Sequence, residues 1–369
     1  MYMGFATWRV YFNVYLEELH FSGIEIGILN AIILASVVFI VPVWGFYADR
    51  KGIRPTLQIT ALVTAVIMFL LGYMHTFVLQ VVVVLILTLF YNPLGSLSDA
   101  LAIQYSHKHS RYNFGKFRLW GSLGWAIAAT GGGYLFSYIS LKYIFPLSAL
   151  FFLILVLFLQ KSKNKKTVYK PDFQPIELQS LLYNKQLMLF IGILVIYGIA
   201  CSPTYSYINL YFTELNASNR IIGWAFAIQS ISELPFFFIG GSLVKKIGNR
   251  QVILISMAVM VLRMIMYGLF PSIATGLAFG ALQGLTLSFF IVGIADYMQS
   301  LLPSGRHATS QSLIWAFYFG LGQTIGNLSV GLLKDGIGMI DIMWWYGIMV
   351  IIILILTTFY FYGRKRRAV

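Results

Sequence analysis

The chain has 369 residues, of which 59% are hydrophobic and only 10% charged, and its mean hydropathy is +0.80. Soluble domains are about 45–50% apolar and about 25% charged, so this composition excludes a soluble globular protein and places the chain in a membrane. A formal charge of +14 would suit nucleic acid in a soluble protein, but here it is confined to a few loops, which argues for membrane orientation and against a nucleic-acid partner.

A hydrocarbon core about 30 Å thick takes roughly 20 apolar residues per helix, and twelve candidate spans follow one another along the chain. The first, 2–17, opens as "MYMGFATWRVYFNVYL", without the basic lead or small-residue cleavage site of a signal peptide. It is short and lacks a polar lead, as expected of a first helix missing its beginning. Within it Arg9 and Asn13 lie one turn apart, a polar face suited to a carboxylate partner or to an anionic group of a solute. The second span, 25–47, ends in the basic turn "GFYADRKGIRP". The third and fourth are 56–74 and 77–104, the latter carrying Asp99. The fifth, 118–138, follows "NFGKFRLWGSLGW", where Arg118 and Trp125 stand two turns apart on one helical face. The sixth is 143–160.

A polar stretch, 161–186, then carries Lys161, Lys163, Lys165, Lys166 and Lys170 and reads as a cytoplasmic linker between an N-terminal bundle, 1–160, and a C-terminal bundle with a basic tail, 187–369. The remaining spans are 187–211, 221–243, 251–270, 273–302, 308–333 and 342–362. The halves repeat. "IGILNAIILASVVFIVPVWGFYADRKGIR" aligns without gaps to "IGWAFAIQSISELPFFFIGGSLVKKIGNR", pairing Gly27 with Gly223, Gly45 with Gly241, Gly52 with Gly248 and Arg54 with Arg250. The expected fold class is therefore an all-α membrane protein, two pseudo-symmetric bundles of six helices, the plan on which alternating-access carriers are built.

Basic residues cluster in alternate loops, so the positive-inside rule puts both termini and the linker in the cytoplasm and suggests the cell's inner or plasma membrane. The glycines of "GLGQTIG", with Gly322 and Gly326 in small-xxx-small spacing, follow no strand and read as close helix packing rather than a nucleotide loop. Those of the fifth span read the same way and make these two helices candidate partners. The single Cys201 excludes an internal disulfide. No metal constellation or nucleophile triad is visible, and neither an enzyme nor a cofactor is expected.

An ionisable group at mid-membrane costs about 2.5–3.5 kcal/mol on insertion scales, so each needs a partner, a wet cavity or a function. The sequence places Arg9, Asp99, Glu233, Arg263 and Asp296 in that position. None of its histidines falls mid-helix, so a proton relay must use carboxylates. Polar residues such as Asn92, Tyr205, Gln229 and Gln283 suggest a wet interior able to hydrogen-bond a hydroxylated or aromatic solute.

"GFYADRKGIRP" resembles the loop after the second helix of the major facilitator superfamily. There Gly45 allows close helix contact, Gly52 a tight turn, and Asp49 with Arg50 and Arg54 forms a conformational latch; the alternative is a solvated loop that only fixes topology. Lys245 stands where Asp49 would repeat, so the latch is asymmetric. "NFGKFRLWGSLGW" is similar to the fifth helix of the oligosaccharide, nucleoside and phenylpropionate proton symporters. That resemblance implies Arg118 as a hydrogen-bond donor to solute and Trp125 as an apolar platform, against the alternative that Arg118 snorkels to headgroups. It also implies Glu233 at the solute-site border and Arg263 in a proton-translocation network, with Asp296 and Asp99 as further carboxylates. Arg9, Asn13 and Gln283 complete the candidate solute contacts. Gln283 and Thr286 occupy positions where the lactose-type pattern has a histidine and a glutamate.

The expected function is import of a small organic solute (sugar, nucleoside or aromatic acid) by a monomer working in symport with protons. Sodium coupling, facilitated diffusion, a proton-driven exporter of drugs or metabolites, and a transporter-like receptor are the alternatives.

Overall fold

The structure is a computed structural model describing residues 1–108, 114–161, 184–302 and 307–363, and all regular structure among them is helical. The linker 161–186 falls almost wholly outside the described residues. By contacts the chain divides into one unit of Met1–Gln174 with Ser218–Ala227 and a second of Pro175–Ala217 with Ile228–Val369.

In the first unit α1 (Tyr2–Arg9) and α2 (Phe12–Glu18) are one predicted span broken at Val10–Tyr11. There α3 (Gly23–Lys51) starts at a capping box in which Ser22 accepts from the Glu25 backbone and the Glu25 carboxylate accepts from the Ser22 backbone, satisfying two otherwise orphaned donors. It stops at Gly52, whose φ of 99° turns the chain into α4 (Ile53–Leu71); this left-handed region favours a residue without Cβ. Then follow α5 (Phe77–Tyr91), α6 (Pro93–Lys108), α7 (Phe114–Leu135) and α8 (Ile144–Lys161). Pro93 cannot donate to the preceding turn, which separates α6 from α5 within the predicted fourth span. The interior is aromatic: Trp8 packs edge-on against Phe12 at 5.0 Å and Tyr91 at 5.2 Å, and Tyr15 against Phe145 at 5.0 Å.

The later helices are α9 (Lys185–Ser206), α10 (Ile208–Glu214), α11 (Asn219–Ile247), α12 (Asn249–Leu269), α13 (Ile273–Gly280), α14 (Phe289–Ser300), α15 (His307–Ile314) and α16 (Gln323–Tyr362). The first turns of α11 pack in the first unit, where Asn219 donates to the Phe136 carbonyl and Arg220 lies over Tyr134 and Tyr138. Two π-helical segments, Gly284–Ser288 and Trp315–Gly322, interrupt the series; such segments concentrate at functional sites. The run ending in α16 contains two helices meeting at Gly338, φ 77°, where the Glu214 carboxylate accepts from the Met339 and Ile340 amides.

The repeat is longer than the aligned segments suggested. Tyr11 and Tyr207 both sit at helix breaks with nearly the same backbone angles (φ −110°, ψ −2° and φ −119°, ψ 8°). His20 and Asn216 both have positive φ, 60° and 56°. Gly52 and Gly248 turn alike, and α3 and α11 each span 29 residues. All of these pairs share the spacing that relates Gly27 to Gly223.

Among the described residues seven helices are long and apolar enough to cross a membrane, or nine if each of two bent pairs is one span. The twelve predicted spans do not all pass: the first is split into two short helices, the fifth, 118–138, is not among the nine, and the last two merge into the single run Ser310–Tyr362. Large apolar side chains such as Phe39, Val78, Phe158 and Phe359 are exposed, as lipid-facing surface requires.

Candidate functional site

The second unit holds a buried polar cluster built on α12. Arg263 is fully buried, and its guanidinium donates from Nη1 to Gln283 Oε1 at 2.6 Å and Thr286 Oγ1 at 2.5 Å, and from Nη2 to the Tyr267 hydroxyl at 3.3 Å. Tyr267 is four residues on in α12, one turn along the same face. Thr286 belongs to the first π segment, whose extra residue per turn rotates it toward α12. Helix α11 meets this segment at Gly284, whose amide donates to Ser232 Oγ at 3.1 Å and where a Cβ would overlap the Ser232 carbonyl. That close approach brings Gln229 and Glu233, one turn apart, alongside the cluster.

Glu233 is half-buried. Tyr205, near the end of α9, experiences both the Arg263 and the Glu233 charge, and its hydroxyl donates to the Thr286 carbonyl at 3.4 Å. Tyr197, Cys201 and Tyr318 close the aromatic side, with the Tyr197 and Tyr318 rings stacked at 5.9 Å. All three hydrogen-bond acceptors of Arg263 are uncharged. Among the described residues it has no carboxylate within ion-pair distance, and its Nε and the Gln229 amide nitrogen are buried without an acceptor.

Arg263 and Gln283 are thus brought together, Gln283 as an arginine partner, and Glu233 is linked to them through Tyr205. The other candidates lie elsewhere. Asp296 accepts from Asn249 at 2.7 Å, at the first residue of α12, a location where the helix dipole favours an anion. Asp99 accepts from the Tyr2 hydroxyl at 3.3 Å. Arg9 ends α1, with its guanidinium 5.5 Å from the Trp8 ring and Nη1 buried without a partner. Asn13 does not continue an Arg9 face, because the helix breaks between them; it accepts from Asn30 at 2.8 Å and ties α2 to α3. Trp125 is half-buried in α7, and the side chain of Arg118 lies outside the described residues.

In the turn after α3, Arg50 stacks on Phe46 at 4.1 Å, and Asp49 has no ion-pair partner among the described residues. The expectation that Gly45 permits close helix contact is corrected: a Cβ there would meet nothing within 4 Å. The glycines of the fifth and eleventh spans are used inside their own units. Gly121 and Gly124 take Tyr2 and Met3, whereas Gly322 and Gly326 take Val195, Gly198 and Ser202 of α9.

Sequence reasoning missed Tyr11 and Tyr207. Tyr11 donates to the Ala129 carbonyl in α7, and Tyr207 donates to the Asn327 carbonyl in α16 at 2.8 Å. Extending the repeat upstream would have found them, since Tyr11, Asn13 and Tyr15 match Tyr207, Asn209 and Tyr211.

A family model described as the MFS_1 like family matches residues 1–345. The uncharacterized transporter YwbF of Bacillus subtilis (strain 168) is 24% identical over 91% of this chain and 85% of its own length. The maltose permease of Geobacillus stearothermophilus is 26% identical over the same shares, 91% and 85%. Among solved structures, the nucleoside transporter NupG superposes with a TM-score of 0.86 at 17% identity, over 98% of this chain and 96% of that one.

Proposed function

The chain belongs to the MFS_1 like family and is a membrane solute transporter, and from that premise we propose that it imports a small organic solute with protons by alternating access. The solute class is sugar, nucleoside or aromatic acid, in keeping with relatives named for maltose and nucleosides. The coupling is supported by a half-buried carboxylate, Glu233, and a fully buried guanidinium, Arg263, whose charges both act on Tyr205.

Glu233 is the proton carrier. Desolvation favours the protonated form of a carboxylate, and a nearby guanidinium charge or a bound solute favours the ionised form. Alternating those two conditions couples the proton to the solute. A proton entering down 100 mV releases about 2.3 kcal/mol, enough for roughly fifty-fold accumulation of a neutral solute. Arg118 and Trp125 serve as solute contacts from the first bundle, with Arg9 as an anion contact. The proposed division is 1–160 and 187–369 about the linker, in the cell membrane with both termini cytoplasmic, as a monomer.

The test is uptake into proteoliposomes by wild type and Glu233→Gln, with and without an inward proton gradient. Wild type is expected to accumulate solute only with the gradient. The variant, whose side chain cannot release a proton, is expected to keep solute exchange and lose accumulation. Accumulation that ignores the gradient removes proton symport; a variant that accumulates normally removes Glu233 from it; efflux coupled to proton entry converts the reading to export.

A further inference from the structure

A groove on the surface of the first unit lies between α7 and α8. Both helices pack on α1 rather than on each other: Gly121 and Gly124 of α7 take Tyr2 and Met3, and Ser148 of α8 donates to the Gly4 carbonyl at 2.8 Å. The space left between them holds about 300 Å³, walled by Leu135 and Ile139 on one side and by Tyr143, Pro146, Leu147 and Leu150 on the other. That is the lower end of the volumes found for ligand pockets, and the Tyr143 hydroxyl is the one polar side-chain group in its walls. Leu135, Tyr143 and Leu150 are exposed, as lipid-facing surface is. Gly131 continues the Leu135 wall one turn back along α7. It is exposed, and a Cβ there would meet nothing within 4 Å, so α7 does not close the groove in that direction.

The opposite end of the groove has the character of the headgroup region. Tyr138 and Tyr143 are 78% and 45% exposed, and amphipathic rings of this kind settle at the membrane–water interface. Lys142 is exposed beside them. Its Nζ stands 5.3 Å from the centre of the Tyr143 ring, which is itself part of the groove wall. Among the described residues no carboxylate lies within ion-pair distance of Lys142. Leu150, seven residues further along α8, is about 10 Å deeper. An apolar slot running into the bilayer from an unpaired cation at its wet end matches the two parts of a lipid.

We propose that this groove is a site for one anionic phospholipid, which lays an acyl chain between α7 and α8 and sets its phosphate on Lys142. A zwitterionic headgroup brings its own cation beside the phosphate, so the anionic one is the better electrostatic match. Water is a poor occupant, because an ordered water needs two to four polar partners and the walls supply one. The site belongs wholly to the first unit, and it stands whether or not transport is coupled to protons.

The experiment uses the full chain, purified in detergent and stripped of lipid. Phosphatidylglycerol, phosphatidylcholine with identical chains, and chain-free glycerol phosphate are added in turn, and bound masses are counted by native mass spectrometry. Wild type is expected to hold one phosphatidylglycerol in preference to phosphatidylcholine, and no glycerol phosphate. Lys142→Gln is expected to lower phosphatidylglycerol occupancy about fivefold, the worth of one lysine against an anionic lipid surface, and to leave phosphatidylcholine unchanged. Leu150→Trp, which fills the deep end, is expected to lower both. Both positions are exposed, so both variants are expected to melt with wild type. A phosphatidylglycerol carrying a diazirine in its acyl chain tests the site without any variant and is expected to label residues 135–150 of wild type. Equal retention of the two lipids, or undiminished phosphatidylglycerol on Lys142→Gln, overturns the proposal, and so does labelling confined to other segments. Binding of glycerol phosphate alone, or a lipid-free dimer that Leu150→Trp dissociates, overturns it as well, in favour of a phosphate site or an interface between copies.

Discussion

Arg263 shows how a mid-membrane charge is held. Its three hydrogen bonds are charge-assisted, each worth about 1.5–3 kcal/mol, and two of the acceptors, Gln283 and Thr286, are neutral side chains positioned by the π segment. Thr286→Val keeps the side-chain shape and deletes the hydroxyl acceptor, so a destabilisation of roughly 1–3 kcal/mol is expected, read as a lower melting temperature in detergent. A melting temperature equal to wild type would mean that water or a rotated Gln283 takes over the contact. The sequence made Arg263 and Glu233 legible as costly intramembrane charges. It did not reveal the acceptors, because Thr286 approaches α12 through a local change of helical period. It also misread Arg9 and Asn13 as one face, since regular spacing cannot register the break at Tyr11.

At the scale of helices, close approach depends on where a glycine points. A Cβ at Gly322 would stand 2.7 Å from the Val195 carbonyl oxygen and 3.1 Å from the Gly198 Cα. Both neighbours are backbone and cannot move aside, so Gly322→Ala must push α9 away and is expected to cost about 1–3 kcal/mol by overpacking. Gly45→Ala places its methyl in open space and is expected to leave the melting temperature unchanged or slightly raised, since alanine is the better helix former by about 1 kcal/mol. A matched pair of melting curves checks both; equal losses would mean that Gly45 packs more tightly than its surroundings indicate. The motif around Gly322 was legible because small-xxx-small spacing encodes close packing directly. For Gly45 the same inference failed: the glycine of Gly52 is required by a positive φ, whereas Gly45 meets neither a neighbour nor a backbone demand. Most helix positions were legible from apolar runs alone, and the matching C-terminal ends of α3 and α11 follow from Gly52 and Gly248, both at positive φ.

For the whole molecule, the arrangement of charge supports the proposed orientation in the membrane. The loops carrying Lys51 and Lys246 are basic, while those carrying His75, Asn216 and Phe270 are poor in lysine and arginine, and about 60 residues or fewer of flanking loop suffice for this bias to set orientation. Cys201 is fully buried and is the one cysteine, so Cys201→Ser gives a background in which a single new cysteine reports its own side of the membrane. Cysteines replacing Lys51 or Lys246 are expected to react with a membrane-impermeant maleimide only after the cells are opened; those replacing His75 or Phe270 are expected to react in intact cells. The repeat supplies an internal control, because Lys51 and Ile247 occupy matching helix ends and cysteines there must label from the same side if both halves insert in parallel. Opposite labelling of that pair would convert the parallel repeat into an inverted one.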